Sequence, residues 1–184
     1  MGRRFRRRPP AAVTIFLLLA VVVVARLGWQ FLQTADHPAT VEQLAEGLYQ
    51  VERVVDGDTI IVRIQTNGQP SPARVRLLGI DTPESVKPNH PVEPWGLEAA
   101  DFTRRFVSRG TVQLRFDRRR RDRYDRFLAY VYVEDRMLNE ELVRAGLAQV
   151  RIYPGDSTMF QRRLQLAEQE AKQAGRGIWS GQRR

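Results

Sequence analysis

Hydrophobic and polar residues alternate along much of the chain after residue 47, which is the pattern of β-strands with one buried face. The first two such runs are joined by Asp56-Gly57, a dipeptide typical of tight hairpin turns. A second turn signal at Asn67-Gly68, with Pro70 and Pro72, leads into a third run, so the first three strands are predicted to form a meander. The five predicted strands cover residues 48–55, 59–65, 73–79, 111–117 and 127–133.

Three segments place apolar residues three and four positions apart, which is the spacing of one face of an α-helix. The first predicted helix covers residues 93–108. In the second, Asn139 is the predicted N-cap and Gly146 the predicted stop. In the third, Ser157 is the predicted N-cap and Gly175 follows the last turn.

This order of elements predicts an α+β fold, because a helix is inserted after the third strand and two helices close the chain. The architecture expected is a five-stranded OB-type β-barrel with three packed α-helices. The predicted core residues are Val51, Ile60, Val62, Leu77, Leu114, Leu128, Val131 and Leu142. The predicted organisation is an N-terminal segment over residues 1–32, a linker over 33–46, the barrel domain over 47–181 and a basic tail over 182–184.

The N-terminal segment has the pattern of a membrane-inserting helix. Residues 1–8 form a basic cluster, and residues 11–25 are apolar apart from one threonine. Two interpretations stay open: an uncut membrane anchor through residues 9–32, or a signal peptide cleaved after Ala25. Both export the barrel domain, because the arginines stay on the cytoplasmic side. We therefore expect a domain outside the cytoplasm, membrane-anchored or, if the segment is cleaved, secreted.

Composition and charge exclude cysteine-based sites and favour a phosphate-containing ligand. The chain has no cysteine, which excludes a disulfide scaffold, a thiolate zinc site and a cysteine nucleophile. Its net charge is +9, but residues 1–32 hold six arginines and no acid, so the rest has 24 basic against 21 acidic residues, or only +3. Of the 30 basic residues two are lysines, so nearly all positive charge is guanidinium, which suits phosphate. No obligate protein partner is indicated, and a monomer is expected.

Carboxylates stand at the ends of two predicted strands. Asp56 and Asp58 lie at the first hairpin tip, and Asp81-Thr82-Pro83-Glu84 follows the third strand, which also carries Arg76. Either motif alone is ordinary turn chemistry. In one small barrel both turns can converge on a single point, where carboxylates, a threonine carbonyl and water are the oxygen ligands that a hard divalent cation such as Ca²⁺ prefers. Zinc is not expected, because no histidine or cysteine joins them.

A charged run precedes the fifth strand. Arg118 to Arg121 are predicted to lie in a solvated loop, since most such runs do. Arg126 differs, because it stands at the start of a predicted strand, and the strand fixes the direction of its side chain.

Several ordered motifs together resemble the staphylococcal nuclease (thermonuclease) family. The resemblance spans about residues 50–180 and implies an OB-type barrel with three helices that hydrolyses DNA and RNA with Ca²⁺. The motifs are Val54-Val55-Asp56-Gly57-Asp58-Thr59, Arg76-Leu77-Leu78-Gly79-Ile80-Asp81-Thr82-Pro83-Glu84, Arg123-Tyr124-Asp125-Arg126-Phe127-Leu128-Ala129-Tyr130, the segment 138–148 and Gly177-Ile178-Trp179-Ser180.

The resemblance also implies roles for individual residues. Asp58, Asp81 and the backbone carbonyl of Thr82 correspond to Ca²⁺ ligands. Glu84 corresponds to the general base, and Arg76 and Arg126 to the phosphate-binding arginines. The implied substrate contacts are Tyr124, Tyr153, Arg123 and Lys87.

One position departs from the family pattern. Asp125 stands where relatives usually have glycine, which puts a negative charge beside Arg126 and removes backbone freedom.

Two other functions remain open from the sequence. One is a non-catalytic OB-type module that binds single-stranded nucleic acid, and the other is a membrane-tethered interaction domain. Catalysis is favoured, because a binding module needs no complete set of carboxylates and arginines. The expected activity is a Ca²⁺-dependent, thermonuclease-like phosphodiesterase with low sequence specificity.

Overall fold

The computed structural model describes residues 44–86, 91–154, 156 and 158–181. The strands are β1 Gly47–Asp56, β2 Thr59–Thr66, β3 Gln69–Leu77, β4 Ile80–Asp81, β5 Thr111–Arg121, β6 Phe127–Val133, β7 Arg136–Met137 and β8 Gln149–Val150. The helices are α1 Gly96–Phe106, α2 Leu138–Arg144 and α3 Gln161–Ala174, followed by a 3-10 helix over Gly177–Trp179.

The five long strands close into a barrel. Antiparallel pairing orders them β3, β2, β1, β5, β6, and a parallel pairing between β3 and β6 joins the two ends. At this seam Val75 lies opposite Phe127, and Leu77 lies opposite Ala129. The predicted five-stranded barrel with three helices is confirmed. The two-stranded sheet of β4 and β8 and the short β7 were not predicted.

One apolar cluster fills the barrel and continues under the helices. Every predicted core residue is buried in it except Val51, which is partly buried against it. From the helices, Ala99 of α1, Leu142 of α2 and Leu164 of α3 each contribute a fully buried side chain. Each helix is therefore held in place by packing against the barrel core.

The second hairpin turn is shorter than predicted. Asn67 and Gly68 alone form it, with positive φ values of 53° and 75°, so β3 starts at Gln69 rather than at residue 73. Pro70 and Pro72 lie inside the strand. They are tolerated because this half of β3 pairs only with β2 and leaves one edge free of ladder hydrogen bonds.

The prediction of a solvated loop over Arg118 to Arg121 is wrong, because β5 continues to Arg121. Two of the guanidinium groups lie over aromatic rings. Arg120 stacks over the Phe116 ring at 4.9 Å, and Arg121 stacks over the Phe127 ring at 3.8 Å. These contacts stabilise the charged end of β5, which pairs with β6 as a hairpin.

The predicted N-cap of the second helix is also wrong. Met137 is the N-cap of α2, and Asn139 is fully buried inside the helix. Its Nδ2 donates to the Leu78 carbonyl at 2.8 Å, and its Oδ1 accepts the Val131 N–H at 3.0 Å. Asn139 thereby ties α2 to β6 and to the turn after β3. The predicted cap Ser157 lies outside the described residues.

The predicted membrane-inserting segment, the linker up to residue 43 and the tail 182–184 lie outside the described residues. Among the residues that are described, no helix has the length and apolar character needed to cross a bilayer.

Candidate active site

The turn between β1 and β2 carries Asp58, which is only 3% exposed and is bound by Arg76 of β3. Nη1 of Arg76 donates to both carboxylate oxygens of Asp58, at 2.8 and 2.7 Å. Nη2 donates to Oδ1 of Asp81 at 2.6 Å. Strand pairing brings the arginine there, because Thr59 lies opposite Arg76. One guanidinium therefore joins the two aspartates predicted as metal ligands.

The electrostatics of this cluster are dominated by burial. Burial raises the pKa of Asp58 to about 7, although Arg76 opposes the rise, and Asp56 adds to it. Burial also raises the pKa of Asp56, whose Oδ1 accepts the Asp58 N–H at 3.1 Å. Burial works against the charged form of Arg76, but Asp58 and Asp81 raise its pKa, so it stays protonated. Asp58 and Asp81 thus share one cationic side chain, and Asp56 adds a third carboxyl group beside Asp58.

The segment after β3 is fixed at its start by a second sheet. Asp81 of β4 lies opposite Gln149 of β8, which leaves the Asp81 side chain 39% exposed at the edge of the site. The next residue, Thr82, directs its backbone N–H at Oδ2 of Asp58 over 3.4 Å. Thr82 therefore stands against the first hairpin tip, as the sequence predicts.

Glu84 follows on the same segment and is tied into its own loop. Its Oε1 accepts the N–H groups of Ser85 at 3.1 Å and Val86 at 3.0 Å, while no hydrogen bond from the described residues engages Oε2. Two hydrogen bonds with Glu93 close the loop: the Glu84 N–H donates to the side-chain Oε2 of Glu93, and the Glu93 N–H donates to the Glu84 carbonyl. Asp56 is close enough for its charge to interact with Glu84.

Two glycines let the hairpin tip and α1 close on this segment. A Cβ on Gly57 would lie 2.8 Å from Oγ1 of Thr82, and a Cβ on Gly96 would lie 2.5 Å from the Glu84 carbonyl oxygen. The buried hydroxyl of Thr103 in α1 donates to the Gly57 carbonyl at 2.7 Å. Sequence reasoning assigned Gly96 and Thr103 no role, because their partners are distant in the chain.

Arg126 stands on a second wall, just before β6. Its Nε donates to Oδ2 of Asp122 at 2.7 Å, and its backbone N–H donates to Oδ1 at 3.0 Å. Partial burial opposes these bonds, but together they lower the pKa of Asp122. Within the described part of the chain the two Nη groups of Arg126 have no hydrogen-bond partner. Sequence reasoning missed Asp122, although its spacing of four residues from Arg126 was visible.

Two guanidinium groups lie close to the ring of Tyr124. The guanidinium carbon of Arg126 is 5.4 Å from the ring centroid, and that of Arg123 is 4.7 Å from it. Nη2 of Arg123 also donates to the Tyr124 hydroxyl at 2.5 Å. The ring is 62% exposed, so its contacts leave most of it open to a stacking partner.

Asp125 has a positive φ of 60°, the conformation that glycine adopts most easily. Its side chain is 79% exposed and forms an ion pair with Arg121. The acidic partner of Arg126 is thus Asp122, whereas Asp125 pairs with Arg121.

Tyr153 forms the third wall, held by an ion pair that sequence reasoning missed. Oδ2 of Asp156 accepts the Tyr153 N–H at 3.0 Å, and Oδ1 accepts Nη2 of Arg119 at 2.6 Å. The Asp156 side chain is only 3% exposed. No local signal could reveal this pair, because Arg119 and Asp156 are 37 residues apart.

The three walls enclose a cleft of about 640 Å³. The predicted site residues that line it are Arg76, Asp81, Arg123, Tyr124, Arg126 and Tyr153. Asp58 is bound to Arg76 at its edge, while Thr82 and Glu84 lie on the segment beyond Asp81 and do not line it. Lys87 lies outside the described residues.

The donor set around Arg76 determines which cation fits. Among the described residues, no group of three or more histidine, cysteine or acidic side chains has the arrangement of a metal site. Asp58 and Asp81 offer carboxylate oxygens on the two sides of one guanidinium. These hard donors fit Ca²⁺, which completes its shell with carbonyls and water, and they do not fit zinc.

Comparison with known proteins agrees with this geometry. A family model described as "Staphylococcal nuclease homologue" matches residues 74–181, which is more than half of the chain. A thermonuclease of Staphylococcus hyicus is 44% identical over 135 residues, which cover 73% of this chain and 77% of that protein. A thermonuclease of Staphylococcus intermedius is 44% identical over 131 residues, covering 71% and 75%. Endonuclease YncB of Bacillus subtilis is 42% identical over 131 residues, covering 71% and 60%. With its barrel closed at β3 and β6 and these matches across most of its length, the chain belongs to the staphylococcal nuclease family.

Proposed function

We propose that this chain is a Ca²⁺-dependent nuclease that hydrolyses phosphodiester bonds of DNA or RNA with low sequence specificity. The nuclease class follows from family membership and from relatives named thermonuclease and endonuclease. One structural observation carries the proposal: Arg76 and Arg126 reach the same cleft from different walls, and Arg76 is bound to two carboxylates. Contacts of this kind recognise phosphate and sugar rather than base edges.

Arg126 is suited to hold the phosphoryl group. Asp122 occupies its Nε and backbone N–H, which fixes the direction of the planar fork. The Nη groups remain for two parallel hydrogen bonds to phosphate oxygens, a geometry that lysine cannot reproduce. Arg76 of the neighbouring strand β3 supplies a second guanidinium to the cleft.

Asp58, Asp81 and the Thr82 carbonyl are the groups that would hold Ca²⁺. Bound there, the ion supplies Lewis-acid charge for the phosphoryl oxygens. Asp58 must be ionised to bind it, and its burial next to Asp56 favours any added positive charge.

Glu84 is the proposed general base for the attacking water. Its Oε1 is held by two backbone N–H groups, so the carboxylate has a fixed orientation and Oε2 remains to accept the proton. General-base catalysis of this kind is worth roughly 10² to 10⁴-fold in rate.

The test uses the full-length chain with single-stranded DNA and RNA, in Ca²⁺ or in chelator. Arg126→Lys is expected to lower hydrolysis by on the order of 3 kcal/mol of transition-state stabilisation, with nucleotide binding changed only a few-fold. Glu84→Gln is expected to remove most activity. Arg105→Lys, an exposed position on α1, is the matched control.

Equal losses of binding and hydrolysis in Arg126→Lys would contradict the transition-state role. Tight binding without cleavage under every divalent ion would favour the single-stranded nucleic-acid-binding module instead.

We also propose that residues 1–32 export the domain, either as an uncut anchor or as a cleaved signal. The support is the arginine cluster followed by the apolar run at residues 11–25. Externally added protease should digest the barrel domain of intact cells, or the domain should be found in the medium. Protection of the domain until the cells are lysed would refute export.

A further inference from the structure

The outer face of the β1–β2–β3 meander continues away from the cleft. In the strand register, Asp56, Thr59 and Arg76 form one transverse row, which belongs to the site. Side chains return to the same face every second residue, about 6.6 Å along a strand. The next row on this face contains Arg53 and Arg74, one on each side of Ile61 of β2.

This row also borders the wall of the cleft that carries Arg126. At the barrel seam Val75 lies opposite Phe127, and Arg74 and Arg126 are the residues immediately before these two. Neighbouring strands are about 4.8 Å apart, so guanidinium-bearing positions recur from Arg126 through Arg74 to Arg53 over about 15 Å of surface. The row therefore starts at a residue that lines the cleft.

Arg53 and Arg74 differ from the arginines of the site in their surroundings. Both are exposed, and no described residue gives either guanidinium a hydrogen bond or an ion pair. In the following row, by comparison, Arg63 lies 4.0 Å from Glu52. The two guanidinium groups are thus available to an anionic ligand.

Ile61 lies between Arg53 and Arg74 in this row. It is only 7% exposed although it alternates with the inward-facing Ile60 and Val62, and it is not part of the main apolar cluster. The apolar stems of long side chains cover such positions and keep the charged heads in water. By register, the stems of Arg53 and Arg74 are in position to cover Ile61.

We propose that Arg53 and Arg74, the meander row, form a binding subsite for the phosphodiester backbone of a single-stranded polynucleotide beyond the nucleotide held in the cleft. The inference rests on the proposed nuclease function. Exposed guanidinium groups spaced along a surface bind phosphates without reading bases, so the subsite adds affinity for chain length and not for sequence.

The test compares the full-length chain with the double variant Arg53→Gln, Arg74→Gln, which removes both charges and keeps polar stems over Ile61. Arg105→Gln is the control for loss of an exposed arginine elsewhere. Binding is measured in chelator by fluorescence anisotropy with labelled oligothymidylates, one of about 12 nucleotides and one dinucleotide. Urea unfolding of each variant verifies the fold.

The double variant is expected to bind the longer oligonucleotide on the order of tenfold more weakly and the dinucleotide unchanged. The slope of log affinity against log salt should become shallower by about 1.4, because each phosphate contact on a single strand contributes about 0.7. Equal affinities and slopes for the wild type, the double variant and Arg105→Gln would overturn the subsite.

Cleavage of both oligonucleotides is also measured with Ca²⁺. This measurement distinguishes a failure of the subsite from a failure of the proposed nuclease function. Length-dependent binding through the row without any cleavage would refute the nuclease and leave the subsite. Cleavage of the longer substrate that the double variant does not impair would refute the subsite alone.

Discussion

Asp58→Asn is expected to stabilise the calcium-free protein strongly above neutral pH. The carboxylate is 3% exposed, and burial raises its pKa to about 7, against 3.8 for an ordinary aspartate. At 1.36 kcal/mol for each pH unit, this difference corresponds to about 4 kcal/mol. Asparagine fills the same space without a charge that must be desolvated.

The sign follows from proton linkage. Between about pH 4 and 7 the unfolded chain loses the Asp58 proton while the folded chain keeps it, so the stabilising effect of the protonated group is lost as pH rises through this window. Near pH 4 both the wild type and Asp58→Asn are neutral at this position and are expected to be about equally stable. By about pH 8 the free energy of unfolding of the variant should exceed that of the wild type by up to about 4 kcal/mol.

Urea unfolding followed by tryptophan fluorescence, in excess chelator and across this pH range, measures the difference directly. Asp81→Asn is the control, because Asp81 also binds Arg76 but is 39% exposed, so its removal brings no comparable gain from desolvation. Saturating Ca²⁺ should then stabilise the wild type and not Asp58→Asn. A variant that is less stable than the wild type near pH 8, or a difference that does not change with pH, would refute the reasoning.

Three further outcomes are expected. Gly57→Ala should destabilise the fold by about 2 kcal/mol in urea unfolding, because its Cβ would lie 2.8 Å from a threonine hydroxyl; an unchanged midpoint would contradict this. Asp125→Gly should stabilise by about 1 kcal/mol by relieving the positive φ, with activity kept; a loss of stability would show that the Arg121 ion pair outweighs the backbone strain. Arg119→Ala should raise KM more than it lowers kcat, because it frees Asp156 and with it the Tyr153 wall; a pure kcat effect in steady-state kinetics would exclude this positioning role.

The barrel was predictable because its signals are local. Alternation along β2 and the Asp56-Gly57 turn determine the first hairpin, and the strand after Asn67-Gly68 brings Arg76 beside that turn. Motif order likewise predicted that Asp58 and Asp81 meet, and both bind the same guanidinium.

The errors occurred where a partner distant in sequence overrides the local signal. Four consecutive arginines indicate a loop, yet β5 continues through them, and Arg119 forms an ion pair with Asp156, 37 residues away. Asn139 has the local pattern of a cap, but its partner is the Leu78 carbonyl, 61 residues away. Neither partner is visible in a window of neighbouring residues.

The parallel seam between β3 and β6 makes the cleft a reporter of barrel closure during folding. Arg76 and Arg126 are about fifty residues apart in the chain and meet only when these two strands pair. Hairpins form early because their contacts are local, whereas a pairing of this sequence separation forms late. A refolding chain can therefore acquire most of its β-structure before any substrate could be held between the two arginines. Regain of hydrolysis would time the closure of the barrel at this seam, whereas circular dichroism would respond to all of the strand pairings together.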